Sequence, residues 1–155
     1  MRLCTRIMTA ISLGAAAVLG ISGTASATTD QIQLQVDEVL AEFPGGTQTG
    51  PGEVSWEDGA VKLNIGLSIS PRSAVGSCAN GSFCAYSSSN LIGSKISFST
   101  CSATNSVAPL KAAVRSIANG RSSGSVYGYN GTTKAYTVAA SSYKNTTGTI
   151  TRLGC

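Results

Sequence analysis

The sequence predicts a mainly β protein, with a short helix and a β-hairpin before a disulfide-stapled domain. Three observations predict this class. Short strand-like runs alternate with turn signals, and the second half is dominated by Gly, Ser, Thr and Asn. That half also contains four cysteines. Many short strands separated by regular turns are typical of a sandwich with Greek-key connections.

Residues 1–27 have the composition of a cleavable signal peptide. Positive charge lies near the start, the stretch 7–21 is uncharged and mostly apolar, and small residues occupy 25–27. The alternative is a membrane anchor. A spanning helix needs about 20 predominantly apolar residues, and serines and glycines dilute this run. We therefore expect a secreted, extracellular protein with no membrane association after cleavage, starting near Thr28.

Residues 30–43 predict a short amphipathic helix. Its apolar positions form one stripe along a single face: Ile32, Val36, Val39, Leu40 and Phe43. We expect Asp30 to cap the helix at its N-terminus and Pro44-Gly45-Gly46 to end it. The following stretch, 45–52, reads GGTQTGPG and is predicted to be a turn-rich linker without core residues.

Strands are predicted over the rest of the chain. A β-hairpin is expected from residues 53–56 and 60–65, with Asp58-Gly59 as the turn pair. The segment 102–111 is expected to be a longer connection, with room for one helical turn. The remaining candidate strands are Phe83–Ser87, Lys95–Ser99, Val114–Ala118, Ser125–Tyr129, Ala135–Val138 and Thr149–Leu153.

The charge is divided between two segments. Residues 28–58 carry all seven acidic residues and no basic one, whereas residues 59–155 carry nine basic residues and no acidic one. We interpret 28–58 as an acidic helix and linker, and 59–155 as a basic β domain. The helix either packs its apolar stripe on the sandwich, with its charged face solvated, or forms a detachable arm that covers a binding face until it is displaced.

Four cysteines remain in the mature chain: Cys78, Cys84, Cys101 and Cys155. An even number in an exported protein predicts two disulfides, with three connectivities open. Zinc binding is the competing use. The spacings include no C-x₂-C pair and the chain has no histidine, so disulfides are favoured.

The missing residue types also exclude classes of chemistry. Without histidine, no Ser-His-Asp or Cys-His arrangement is possible. Without carboxylates in residues 59–155, that segment offers no general acid or base of the paired type. The basic residues are dispersed rather than clustered, which disfavours nucleic acid. We expect no enzyme activity, no cofactor and no metal site.

The stretch that begins at Cys78 carries a recognisable pattern. Cys78 and Cys84 flank an Asn-Gly turn, Tyr86 follows the second cysteine after one residue, and Gly93 comes seven residues later. This resembles the opening hairpin of the βγ-crystallin Greek key. In that motif an aromatic ring covers a folded hairpin, and a glycine occupies a bend that a Cβ would prevent.

The cysteine-bracketed version is more closely similar to a secreted actinobacterial family, the peptidase inhibitors typified by the Streptomyces metalloproteinase inhibitor. The resemblance covers about residues 76–155. The matching positions are Gly81, Cys84, Tyr86, Gly93, Phe98-Ser99-Thr100-Cys101, Ser116-Ile117-Ala118-Asn119 and Cys155. Calcium-binding crystallins carry an oxygen-rich pair where this chain reads Lys111–Ser116 without one, so we predict no calcium site.

The resemblance implies two disulfides, Cys78–Cys84 and Cys101–Cys155. Loop-closure entropy indicates that both stabilise, by roughly 2.4 kcal/mol for the short loop and roughly 4.2 kcal/mol for the long one. It also implies that the protein inhibits an extracellular peptidase, with the metallopeptidases as the candidate class, and that it blocks the active-site cleft sterically. The alternative is a killer-toxin-like or cell-wall-binding module without inhibitory activity.

The most aromatic part of the chain is a candidate interface. It contains four tyrosines: Tyr127, Tyr129, Tyr136 and Tyr143. Tyrosines are enriched where proteins bind one another. The alternative is that about half of them only pack the sandwich.

Overall fold

The computed structural model describes residues 24–66, 75–102 and 105–155. These ranges contain one helix, α1 (Thr24–Glu42), and short 3₁₀ turns at Glu57–Gly59, Ser89–Leu91 and Ala108–Leu110. The strands are β1 (Thr47–Gly50), β2 (Glu53–Trp56), β3 (Val61–Asn64), β4 (Phe83–Tyr86), β5 (Lys95–Phe98), β6 (Asn105–Ser106), β7 (Ser116–Asn119), β8 (Val126–Asn130), β9 (Thr133–Val138), β10 (Ser142–Asn145) and β11 (Arg152–Gly154). The predicted signal peptide lies outside the described residues except for its last four, which belong to α1.

The described strands form two antiparallel sheets. The larger has seven strands in the order β1-β2-β3-β5-β4-β7-β10, and the smaller has four in the order β6-β11-β8-β9. The predicted mainly β class with two disulfides and a short helix is therefore confirmed. β4, which carries Cys84, lies between β5 and β7 and is therefore an inner strand of the large sheet.

The helix starts earlier than predicted. α1 begins at Thr24, so the expectation that Asp30 caps it is wrong. No Pro or Gly occurs between Thr24 and Asp30, so nothing there breaks the helix. It ends at Glu42, one residue short of the predicted end at Phe43, which precedes the Pro-Gly stop.

The apolar stripe of α1 faces the sheets as predicted. Val36 and Val39 are buried in the main core, and Leu40 and Phe43 pack against it in part. Leu34 lies on the opposite side and is 68% exposed.

The predicted linker 45–52 is wrong, because it contains strand β1. β1 pairs antiparallel with β2, and the two are joined through Pro51-Gly52. Pro at the second turn position and a glycine with φ of 71° at the third match the type II turn. β1 is an exposed edge strand whose polar side chains show no apolar alternation, so its pattern resembles a loop.

Most of the other strands are confirmed, with shifted ends. The 53–65 hairpin is present as β2 and β3, and β4, β5, β8 and β9 overlap their predicted ranges. β7 starts two residues later than predicted, and β11 covers only the end of its range. The sequence did not indicate β6 and β10. β6 has only two residues, and every residue of β10 is exposed, so neither shows an apolar pattern.

The main core joins both charge segments. Val36 and Val54 from the acidic segment share one cluster with Phe83, Phe98 and Leu153 from the basic segment. Strands β1 and β2 continue the same sheet as β3. This packing accounts for the apolar stripe, while displacement of the acidic segment by a partner stays a prediction.

Electrostatic contacts supplement this packing. The Lys111 ammonium lies 2.6 Å from the Glu38 carboxylate and 2.5 Å from the Glu42 carboxylate. These contacts raise the pKa of Lys111, chiefly through the hydrogen bond to Glu38. Since the groups are at the surface, we assign the docking of α1 mainly to the buried valines.

The two disulfides have the pairing that the family resemblance implied. Cys78 pairs with Cys84 and Cys101 pairs with Cys155, with Cα–Cα distances of 5.8 and 5.5 Å. The first bridge closes a short loop, because Cys78 lies before β4 and Cys84 lies within it. The second connects the residues that follow β5 and β11, and so joins the larger sheet to the smaller one.

The long bridge should stabilise the protein more than the short one. Replacing Cys101 and Cys155 by Ser should lower the free energy of unfolding by about 4 kcal/mol, and replacing Cys78 and Cys84 by about 2 kcal/mol, because the longer loop restricts the unfolded chain more. Urea unfolding of both double variants measures this order. A Cys101/Cys155 variant as stable as the parent would contradict it.

Candidate functional site

The turn 79–82 is exposed and tightly held. Its flanking cysteines, Cys78 and Cys84, are fully buried and bonded to each other, whereas Ala79, Asn80 and Gly81 are exposed. The amide of Ser82 donates to the Ala79 carbonyl at 3.1 Å and closes the turn. Gly81 has φ of 81°, as the third position of a type II turn requires.

The chain after β7 supports this turn from the side. The Gly81 amide donates to the Gly120 carbonyl, and the Gly120 amide donates to the Ser82 carbonyl, both at 2.9 Å. A Cβ at position 120 would lie 2.5 Å from the Ala79 carbonyl oxygen. Only a glycine permits this close approach, so the glycine at position 120 is required for the backbone contact that supports the turn.

Tyr86 and Gly93, the predicted fold-motif residues, lie at the base and bend of the β4–β5 hairpin. Tyr86 is 0% exposed and packs in a small cluster with Cys78 and Cys84. Its hydroxyl lies 3.2 Å from the Ser77 hydroxyl, and burial raises the pKa of Tyr86. Gly93 has φ of 86°, a conformation that favours glycine.

Ser116 forms hydrogen bonds to the bend of the β4–β5 hairpin. It is fully buried, and its hydroxyl donates to the Ser88 carbonyl at 2.8 Å. The same oxygen accepts the Leu91 amide at 3.1 Å. The hairpin bend is therefore bonded to β7 through one side chain, a role that the family match at Ser116–Asn119 did not reveal.

Asn119, the other end of that segment, holds the loop that supports the turn. Its side-chain amide donates to the carbonyls of Gly124 and Val138, each at 3.2 Å. Its side-chain oxygen accepts the Arg121 amide at 3.1 Å. Asn119 is fully buried, and these bonds satisfy its side chain and keep the Gly120 backbone beside the turn.

The structure does not bring the four candidate tyrosines together. Tyr127 and Tyr129 lie side by side on β8, with ring centroids 6.4 Å apart. The Tyr136 hydroxyl accepts the amides of Thr147 and Gly148, each at 3.1 Å, and its ring packs against the core. Tyr143 lies on β10 of the larger sheet and is 48% exposed.

The bonds at Tyr136 affect its ionisation. The Thr147 hydroxyl and the amides of Thr147 and Gly148 stabilise the phenolate, which lowers the pKa of Tyr136. This side chain therefore organises the loop before β11. It is placed differently from Tyr127 and Tyr129, whose rings lie on one face of β8.

A groove of about 500 Å³ lies where α1 ends. Its apolar lining includes Phe43, Trp56 and Phe98, and the Trp56 indole donates to the Phe43 carbonyl at 3.1 Å. Glu42 and Glu57 add two carboxylates. Composition alone did not indicate this groove, because its residues come from both charge segments.

The described ranges 24–66, 75–102 and 105–155 contain no group of three or more His, Cys, Asp or Glu residues that could hold a metal ion. Within the same ranges, no helix has the length and apolar content needed to cross a membrane.

Comparison with family models, with curated proteins and with solved structures found no match to the chain.

A side chain at position 120 should push the turn 79–82 away from the chain that follows β7. Gly120→Ala should lower the free energy of unfolding by about 1–3 kcal/mol, because its Cβ would collide with backbone carbonyls that cannot easily move. Gly148→Ala is the matched control, since a Cβ there meets its nearest neighbour at 3.5 Å. Denaturant unfolding of both variants tests this, and equal stabilities would contradict it.

Burial of Tyr86 should appear in the alkaline stability of the protein. Because its pKa is raised in the folded state, its contribution is fully present below the unfolded pKa near 10 and is lost as pH rises through the folded pKa. Tyr86→Phe should cost about 1 kcal/mol at pH 8 through the lost hydroxyl contact. It should also flatten the fall in stability above pH 10.

Urea unfolding between pH 8 and 11.5 measures both effects. Tyr143→Phe, which removes an exposed hydroxyl from another strand, is the control. Parallel stability curves for the parent and Tyr86→Phe above pH 10 would contradict the role of burial.

Proposed function

We propose that this protein is a secreted inhibitor of an extracellular peptidase, and that it blocks the active-site cleft sterically with the turn 79–82. The observation that carries the proposal is the combination of exposure and restraint in that turn. Its tip is open to solvent, while the Cys78–Cys84 bridge and the backbone bonds to Gly120 hold it in place.

Rigidity favours inhibition for two physical reasons. A restrained loop loses little conformational entropy on binding, so more of its contact energy appears as affinity. The amides of Gly81 and Ser82 are already used inside the protein. The turn is therefore poorly suited to add as an extended strand to a partner's sheet, which is a common mode of peptide binding.

The family resemblance adds support to this proposal. The cysteine frame shared with the peptidase-inhibitor family implied a disulfide pairing, and the described structure has that pairing. The folded hairpin around Tyr86 and Gly93 fits a βγ-crystallin-like Greek key over about residues 76–155, which we include in the proposal. The disulfides also fit an oxidising, extracellular environment.

The chemistry at the tip favours blocking over metal ligation. Asn80 and Ser82 are neutral, and residues 59–155 contain no carboxylate or histidine that could bind a metallopeptidase's zinc. The small, neutral side chains of the tip therefore contact the cleft without ligating the metal. We therefore expect competitive inhibition without transfer of metal from the peptidase.

Titration of a thermolysin-like and a subtilisin-like peptidase with the mature protein tests the proposal. We expect stoichiometric loss of activity of one of them. Asn80→Arg should weaken inhibition about tenfold or more, since it adds bulk and charge at the tip. Asn130→Arg is the matched control, because Asn130-Gly131 is a second exposed Asn-Gly turn.

Two outcomes would overturn the proposal. Activity of both peptidases in a molar excess of the protein would exclude inhibition of these classes and favour the toxin-like or wall-binding alternative, which growth arrest of a fungus would then support. Equal weakening by Asn80→Arg and Asn130→Arg would show that the turn 79–82 is not the contact surface.

A further inference from the structure

The smaller sheet presents a row of polar and aromatic side chains on one face. β8 lies between β11 and β9, and the register places Arg152, Tyr129 and Lys134 opposite one another across the three strands. Tyr127 lies two residues before Tyr129 and so points to the same side, while the alternating residues Val126 and Gly128 are buried. We call these four residues and Thr137, the exposed partner of Tyr127, the β8 face.

The rings of the β8 face hold its two cations in place. The Lys134 ammonium lies 3.7 Å from the ring centroid of Tyr127, and the Arg152 guanidinium lies 3.9 Å from that of Tyr129. Arg152 Nε also donates to the Gly131 carbonyl at 3.1 Å. Cation–π contacts orient the charged groups before a ligand arrives, which lowers the entropic cost of binding.

The electrostatics of the β8 face favour an anion. No acidic side chain occurs in residues 59–155, the segment that forms every strand of the smaller sheet. Lys134 and Arg152 lie on the two strands that flank β8, so their backbones are roughly 10 Å apart, two strand spacings. A polymer with regularly repeated negative charges can therefore contact both cations at once.

We propose that the β8 face binds an anionic polysaccharide. Lys134 and Arg152 contact its carboxylate or sulfate groups, and the hydroxyls of Tyr127, Tyr129 and Thr137 exchange hydrogen bonds with sugar hydroxyls. The face thus supplies two cations and a set of hydroxyl groups, which match the charged and hydroxylated parts of such a chain.

Other polyanions fit this surface less well. The described cations lie over the tyrosine rings, which hinders the base stacking on which single-stranded nucleic acid binding depends. An acidic protein partner needs a buried apolar or aromatic anchor at the centre of its interface. The β8 face offers partly buried rings covered by cations rather than an open apolar pocket.

The test is the affinity of the full mature chain for defined polymers, measured by titration calorimetry at low and high salt. We expect binding to polygalacturonate or dextran sulfate, weakened by salt, and no binding to uncharged dextran. Polygalacturonate carries carboxylates and dextran sulfate carries sulfates, so comparing their affinities shows which anionic group the face binds. Lys134→Gln with Arg152→Gln should weaken binding about tenfold, as expected for two partly exposed ion contacts.

A charge-matched control separates the β8 face from net charge. Arg115→Gln with Lys144→Gln removes two exposed cations from outside the face and should leave the affinity within about twofold of the parent's. Tyr127→Phe with Tyr129→Phe keeps the rings under the cations and removes their hydroxyls. This pair should weaken binding about threefold, as expected for lost neutral hydrogen bonds.

Specific results would overturn the proposal. Equal weakening by the two charge-removing pairs would show that binding follows net charge alone. Tighter binding of polyglutamate or of a single-stranded oligonucleotide would assign the face to a different macromolecule, and absence of binding to both anionic glycans would reject it. Peptidase inhibition by the Lys134/Arg152 variant is a separate readout, since the turn 79–82 is untouched.

Discussion

Burial of β4 on both of its faces is the constraint on which the other features of this structure depend. Phe83 and Ala85 point into the main core between the sheets, whereas Cys84 and Tyr86 point into the small cluster beside it. A strand normally alternates between a buried and a solvated side. Here the second side is buried by the segment that carries Cys78, and the short disulfide fixes that segment against β4. The exposed turn 79–82 is a direct consequence, since the chain must reverse its direction between that segment and β4.

The folded hairpin and the turn are supported from the same neighbouring strand. Ser116 at the start of β7 bonds the hairpin bend, and Asn119 at its end bonds the loop that seats the turn. Both side chains are fully buried, and these hydrogen bonds satisfy polar groups that would otherwise be buried without a partner. This arrangement explains how a small domain with few charges maintains an exposed but rigid projection. The smaller sheet, in contrast, presents a cationic face whose two charged groups lie over aromatic rings.

Periodicity predicted the elements whose pattern reflects burial, and missed those whose pattern does not. The stripe of α1 was correct at Val36 and Val39 because a helix with one buried side must repeat its apolar residues. β1 and β10 were missed because edge strands with exposed residues have no such requirement. The same reason limited the site prediction. The four tyrosines looked like one surface, but only Tyr127 and Tyr129, two residues apart on β8, have rings in contact. Strand pairing places Tyr143 on the larger sheet, which local sequence does not reveal.

By itself, the sequence determined the charge division, the mainly β class and the presence of enough cysteines for two bridges, since composition and local spacing carry these properties. Tertiary structure decided which residues meet. The close approach of Gly120 to the turn, the locking of the hairpin by Ser116 and the row across β11, β8 and β9 all join positions far apart in the chain. Such contacts depend on how sheets pair and pack, and local sequence patterns do not specify that pairing.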